Sequence, residues 1–292
     1  MIFVTCFAYN SVYSWQFPIL SKDSHSNSIN KWHGEECKHT EIKSYISLAL
    51  FISTLVPLLL LRKMSNPPYI DDAFRSSREY EVYFFAKNKY MRLHYTPGKT
   101  DDKILTNLRL ISSGFPSLAG TPFAEPGIDC SFDTEGSEAY VFSGNNCAYI
   151  DYAPGTTNDK ILAGPTTIAE MFPVLRDTVF ADGIDSAFRS TRGKEVYLFK
   201  GNKYVRIAYD SKQLVGNIRN IGDGFPVLKG TIFERGIDVC FASHKEPEAY
   251  LFKGDKYVRI NFSPGKTDDT LVGDVRPILD GWPVLRGILP VS

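Results

Sequence analysis

The 292-residue chain is short of cysteine, histidine and net charge, and each shortage removes a class of function. Its five cysteines, Cys6, Cys37, Cys130, Cys147 and Cys240, are odd in number and widely scattered, so they do not read as a disulfide framework. No C-x-x-C pair points to structural zinc. A reducing compartment fits this usage, and the cytosol is the expected location. Lys plus Arg equals Asp plus Glu at 33 each, which leaves no basic footprint for nucleic acid. Of five histidines, His25, His33 and His39 fall in the first 63 residues, leaving only His94 and His244 downstream. The chain has no G-x-S-x-G, H-E-x-x-H, G-x-x-x-x-G-K-[ST] or G-x-G-x-x-G, so nothing argues for an enzyme.

Residues 1–63 stand apart from the rest. They hold one apolar run, Tyr45 to Leu61, followed by Arg62 and Lys63. Seventeen residues is at the short limit for a membrane span, and Ser47, Ser53, Thr54 and Pro57 weaken it further. Three readings stay open: an extension upstream of a start at Met64, a signal anchor with Arg62 and Lys63 on the cytosolic side, and secretion. The first two leave the rest of the chain in the cytosol, without membrane contact of its own.

What the chain does have is repetition. A marker of the form I-D-x-small-F begins at Ile70 (IDDAF), Ile128 (IDCSF), Ile184 (IDSAF) and Ile237 (IDVCF), at separations of 58, 56 and 53 residues. Four units follow: 64–127, 128–183, 184–236 and 237–292. Within each unit the marker is a first strand. A second strand reads EVYFF, EAYVF, EVYLF or EAYLF, with the period-two pattern of a half-buried strand. After a tight turn, the third strand reads KYMRLHY, NCAYIDY, KYVRIAY or KYVRINF. A polar loop, then a stretch ending in GFPSL, MFPVL, GFPVL or GWPVL, leads to a brief fourth strand expected at segments such as GTPFA and GTIFE. The expected fold is all-β, a four-bladed propeller with four strands per blade.

The set IDSAF, EVYLFKGNKYVRI and DGFPVLKGTIF resembles the hemopexin repeat, in the form found in legume seed albumins, and the likeness covers residues 66–292. Secreted animal members tie the first blade to the last with a disulfide. Here no cysteine lies near Ile70 or the C-terminus, so the ring must close by packing between blades. Unit 2 also departs, with Cys147 where the others have Tyr90, Tyr204 and Tyr257, and Tyr149 where they have Arg92, Arg206 and Arg259.

In a propeller the innermost strand of each blade leaves one backbone edge facing the axis, where its polar groups need partners. If the marker Asp aims its carbonyl inward, the residue two later does the same. That gives a ring of Asp71, Asp129, Asp185 and Asp238 above a second ring of Ala73, Ser131, Ala187 and Cys240. Four converging carbonyls suit Ca2+ or Na+, and inward N–H groups could hold chloride. The resemblance implies the same ions in the same channel. The competing reading is that each Asp caps a local turn through its carboxylate and the channel holds water.

The remaining candidates carry less chemistry. Asp101–Asp102 and Asp268–Asp269 read as solvated turn residues. The Arg92, Arg206 and Arg259 series reads as blade-to-blade or strand-to-strand ion pairs and not a ligand clamp. The resemblance implies polyamine (spermine) and haem as ligands, with His94 and His244 the candidate haem ligands. The functional expectation is a non-enzymatic albumin with a seed storage or polyamine and oxidative-stress role. The alternative is a protein-interaction scaffold with a structural ion, and a flat propeller face would also allow a homodimer.

Overall fold

The computed structural model describes residues 2–8, 11–17 and 69–291, and the chain divides into two units, Met1–Arg62 and Lys63–Ser292. In the first, β1 (Ile2–Ala8) and β2 (Ser11–Phe17) pair antiparallel. The apolar run 45–61 and the proposed start at Met64 lie outside the described residues. Among the described residues no helix is long and apolar enough to cross a membrane.

The second unit contains four antiparallel sheets, one in each repeat. Blade 1 is β3 (Asp72–Arg75), β4 (Glu81–Ala86), β5 (Lys89–His94) and β6 (Lys103–Leu110). Blade 2 is β7 (Cys130–Asp133), β8 (Glu138–Ser143), β9 (Asn146–Asp151) and β10 (Lys160–Thr167). Blade 3 is β11 (Ser186–Arg189), β12 (Glu195–Lys200) and β13 (Lys203–Ala208), with an outer strand broken into β14 (Gln213–Leu214) and β15 (Arg219–Asn220). Blade 4 is β16 (Val239–Ala242), β17 (Glu248–Lys253), β18 (Lys256–Asn261) and β19 (Thr270–Pro277). The four inner strands touch in a closed cycle, β3 to β7 to β11 to β16 and back to β3. That closure is the four-bladed propeller expected from the repeats.

Two features differ from the sequence reading. The fourth strand comes before the Phe-Pro or Trp-Pro turn, not after it; GTPFA is a turn, and GTIFE runs into a 3-10 helix, Ile232–Arg235. A threonine hydroxyl explains this: Thr121 Oγ1 donates to the Leu118 carbonyl (2.6 Å) and accepts from the Phe123 N–H (3.3 Å). Thr231 repeats the pattern with Leu228 and Phe233. These local bonds use backbone groups that a ladder would need.

The second strands are also buried on both faces, not one. Along β12, Val196 and Leu198 pack in the seam between blades 2 and 3, while Tyr197 and Phe199 pack in the seam between blades 3 and 4. The same division holds for Val82 and Phe84 against Tyr83 and Phe85. The period-two pattern therefore separates two apolar faces, and the core lies in four seams between blades.

The closing seam joins blade 4 to blade 1. Trp282 packs on Phe84, with ring centroids 5.1 Å apart, and on Tyr95 at 5.6 Å. His244 of blade 4 adds a polar latch: its Nε2 lies 3.0 Å from the Ser76 carbonyl, its Nδ1 2.9 Å from the Tyr95 hydroxyl, and its N–H donates to that hydroxyl at 3.1 Å. Gly98 of blade 1 donates its N–H to Tyr250 Oη of blade 4 at 3.0 Å.

Candidate functional site

The direction of each inner-strand carbonyl follows from hydrogen-bond phase. In blade 1 the Ser76 N–H donates to the Glu81 carbonyl at 2.9 Å, making 76 and 81 a hydrogen-bonded pair. Antiparallel pairs alternate, so with Asp72 opposite Phe85 and Phe74 opposite Tyr83, those two pairs are also bonded. Ala73, between them, has its N–H and C=O on the other edge, facing the axis. The corresponding bonds of Thr134, Ser190 and Ser243 set the same phase in the other blades. Ser131, Ala187 and Cys240 are the equivalents, and all four residues are 0–1% exposed.

The marker aspartates break the alternation. The Asp71 N–H bonds to the same Phe85 carbonyl that faces Asp72, at 2.9 Å, which is a bulge with two residues opposite one. Because the 71–72 peptide is trans and planar, an outward N–H at Asp72 sends the Asp71 carbonyl toward the axis. Asp129 on Phe142, Asp185 on Phe199 and Asp238 on Phe252 repeat the bulge at 2.9, 2.9 and 3.0 Å. Strand alternation alone would turn the N–H and C=O of each aspartate to the same side. The bulge instead sends the donors outward and the oxygens inward.

The carboxylates are used elsewhere. Asp71 accepts from the Lys87 N–H, and Asp129, Asp185 and Asp238 accept from the N–H groups of Gly144, Gly201 and Gly254 at 2.6, 2.7 and 2.8 Å. Each therefore caps the hairpin of its own blade, as the competing reading held, and this leaves its carbonyl free. Burial pushes the Asp71 carboxyl up, and the nearby Asp129 carboxylate adds to the effect.

The second ring is not fourfold. Asp72, 1% exposed, accepts from the Ser131 N–H at 3.0 Å and from the Ser131 hydroxyl. Burial pushes its carboxyl up to about 7. One of the four inward N–H groups is thus already bound to a protein carboxylate, and an anion placed in this ring would face Asp72. Cys130 and Cys240 are free, buried thiols, pushed up by burial.

The far end of the inner strands carries ion pairs, Arg75 with Asp133 and Glu246, and Arg189 with Asp133 and Glu135. Arg75 reaches Asp133 of blade 2 at 2.9 Å and the Ser243 carbonyl of blade 4 at 3.1 Å, and Arg189 donates to the Thr134 carbonyl at 2.7 Å. Main-chain oxygens thus gather at the Asp71 end, and paired guanidiniums and carboxylates at the other. Sequence reasoning did not single out Asp72, Arg75 or Arg189. Their departure from Cys130, Asp133 or Val239 at equivalent positions was the available signal.

His244 has both ring nitrogens committed to the closing latch, so it has none free for haem iron. His94 lies on β5 with its ring 6.1 Å from that of Tyr80, and its buried Nδ1 has no partner. The structure brings neither histidine to the channel. Arg92, Arg206 and Arg259 pair with Glu81, Glu195 and Glu248 of the adjacent strand at 3.4, 3.1 and 2.8 Å, and Tyr149 takes the role in blade 2 by bonding Glu138. The acidic pairs are less solvated than expected. Asp269 is buried, and burial, with Asp101 beside it, pushes the Asp102 carboxyl up to about 7. Among the described residues no three acidic, histidine or cysteine side chains cluster in a way that could hold a metal.

Comparison with known proteins agrees with this architecture. The Hemopexin family pattern matches residues 184–230. Albumin-2 of Pisum sativum is 52% identical over 230 residues, covering 78% of this chain and 100% of that protein. A solved hemopexin-fold protein from cow pea is 84% identical with a TM-score of 0.76, over 77% of this chain and 100% of that one. A solved plant lectin with two metal binding sites, from Cicer arietinum, is 58% identical with a TM-score of 0.75, again over 77% of this chain and 100% of that one.

Proposed function

The chain belongs to the Albumin-2 family of hemopexin-fold proteins, and from that premise we propose that it is a non-enzymatic, cytosolic seed albumin whose axial channel binds a hard cation, Ca2+ or Na+. The ligands are the main-chain oxygens of Asp71, Asp129, Asp185 and Asp238. One observation carries the reading: the bulge at each marker aspartate turns four carbonyls, and no N–H, toward the axis. Hard cations take six to eight oxygens, so water completes the shell. The buried Asp72 carboxyl in the next layer adds acceptor oxygens close by. The related lectin with two metal binding sites supports a metal in this fold.

A bound ion would neutralise the converging oxygens and tie the four blades together. A polyamine competes for the same oxygens at the Asp71 end. Haem is not part of the proposal, since His244 is committed and His94 is remote from the channel.

The test is calcium titration of chelator-treated protein by calorimetry, with thermal unfolding in EDTA and in excess Ca2+. One saturable site per chain is expected, with a Tm that rises with free Ca2+ as mass action requires. Asp185→Asn keeps both the carbonyl and a turn-capping side chain, so it retains binding. Excess spermine lowers the apparent Ca2+ affinity. No saturable binding together with an EDTA-insensitive Tm overturns the proposal. A calcium-dependent Tm without spermine competition removes the exchangeable-ligand role and favours a scaffold with a structural ion.

A further inference from the structure

Two clefts outside the channel have a common construction. One, of about 320 Å³, lies between blade 1 and the Gly155 loop of blade 2, and the other, of about 530 Å³, between blade 3 and the Gly265 loop of blade 4. Each is lined by an arginine from the third strand (Arg92 or Arg206), one from the outer strand (Arg109 or Arg219) and two tyrosines (Tyr83 and Tyr90, or Tyr197 and Tyr204).

The guanidiniums are partly tied down, Arg206 Nη1 donating to the Tyr197 hydroxyl at 3.4 Å, and keep further donors. Arg92 and Arg206 meet their glutamates through Nε, at 3.4 and 3.1 Å, which leaves terminal nitrogens directed at the loop glycines. A Cβ on Gly155 would lie 2.3 Å from Arg92 Nη1, so the loop comes this close only as glycine. Arg109 and Arg219 are positioned by carbonyls of the following helical turn, Ser113 at 2.5 Å and Asp223 at 2.7 Å, through one nitrogen each. A third guanidinium, Arg78 or Arg192, approaches the same loop glycine. Against these stand Glu81 and Asp159 at the first cleft, and Glu195 and Asp269 at the second, where Lys266 adds a further positive charge. By count the balance is net positive at both.

Blade 2 lacks the arrangement, and blade 4 keeps its residues (Arg259, Arg276, Tyr250 and Tyr257) but ties up the third-strand guanidinium. Blade 2 has Tyr149 and Thr166 in the two arginine positions, and Thr166 is bonded to Glu170. In blade 4, Glu248 takes Arg259 through a terminal nitrogen at 2.8 Å and also Lys245 at 2.7 Å.

We propose that the clefts of blades 1 and 3 are a pair of equivalent oxyanion sites, each taking one carboxylate, phosphate or sulfate group of a small solute between two guanidiniums and the tyrosine hydroxyls. Planar guanidinium forks match such groups in geometry as well as charge. The two sites lie on alternate blades of the ring, so one chain is bivalent for the ligand.

Calorimetric titration with inorganic phosphate tests this, with glucuronate in a parallel arm to separate a phosphate from a sugar-carboxylate preference. Two sites per chain tighter than about 1 mM are expected for at least one probe, weakening as salt rises. Arg109→Gln and Arg219→Gln should each remove one site, and the double variant both. Arg276→Gln, the matched change in blade 4, should leave two. Thermal unfolding of every variant checks the fold independently of binding. No saturable binding of either probe, binding that survives the double variant, or equal loss with Arg276→Gln overturns the proposal.

Discussion

The described cysteines are free, so among the described residues ring closure rests on the seam between blades 4 and 1, and replacing Tyr95 with phenylalanine tests how much of it is carried by one hydroxyl. The Tyr95 ring is 1% exposed at the end of β5, and its hydroxyl serves His244 twice. His244 Nε2 faces a carbonyl at 3.0 Å, so that nitrogen carries the proton and Nδ1 is the acceptor. The Tyr95 hydroxyl therefore donates to Nδ1 and accepts from the His244 N–H. Phenylalanine leaves both groups half-buried and unpaired. At roughly 1–3 kcal/mol per unmet group, discounted for partial exposure, the expected loss is about 2–4 kcal/mol. For a domain of this size that corresponds to a Tm drop on the order of 5–15 °C. Tyr152→Phe is the matched control, because its hydroxyl accepts only the Ser77 N–H, and about 1 kcal/mol is expected there. Blade 4 already carries Phe262 at the equivalent place. Calorimetric unfolding at neutral pH in excess Ca2+ measures both variants. If Tyr95→Phe falls no further than Tyr152→Phe, the latch does not close the ring and the aromatic packing around Trp282 does.

The same latch sets a pH dependence: burial, with Arg75 adding, lowers the His244 pKa. The unfolded chain then binds a proton that the folded one refuses, so stability should fall as pH drops through about 6.5, and His244→Asn should flatten that limb in melts across pH. Asp102 has the opposite sign, its carboxyl raised to about 7 by burial and by Asp101. Its stabilising protonation is present at acid pH and lost as pH rises from about 4 through 7, so Asp102→Asn should raise Tm at pH 8 more than at pH 4. A Cβ on Gly114 would lie 2.0 Å from the Tyr90 hydroxyl, and Gly224 and Gly281 sit the same way under Tyr204 and Tyr257. In blade 2 the pair is Cys147 with Met171, so Cys147→Tyr alone should cost roughly 1–3 kcal/mol by overpacking, and Cys147→Tyr with Met171→Gly should recover most of it in denaturant unfolding.

That last pair marks how far the sequence could be read. The I-D-x-small-F markers and their spacing carry the number of blades, because a repeat states its own copy number. The departures at Cys147 and in MFPVL are both visible in the chain. Nothing in sequence, however, says that a tyrosine hydroxyl rests on a glycine 24 residues later, so their compensation needs the fold. The outer strands were misplaced for a related reason. GTPFA and GTIFE hold apolar residues as a strand does, but the threonine hydroxyl takes the backbone groups first. The burial of both faces of EVYLF is hidden by its alternation, which resembles the apolar-against-polar pattern of a half-buried strand. Here it runs aliphatic against aromatic, and each face has a blade of its own to meet.

The marker aspartate shows why the two readings of its role were never exclusive. A carboxylate that caps a hairpin draws its own residue out of strand register, and the register break is the bulge. The bulge in turn reverses the peptide plane and sends the carbonyl to the axis. The side chain's local bond to Gly201 and the main chain's exposure in the channel are thus one conformational choice at Asp185, repeated in all four blades. Single-blade differences then specialise the ring, with Asp72 adding an acid next to the oxygens and Arg75 with Arg189 closing the other end. A perfectly fourfold chain could not place one carboxyl on one side of its axis. The divergence of the copies is what gives the channel a direction.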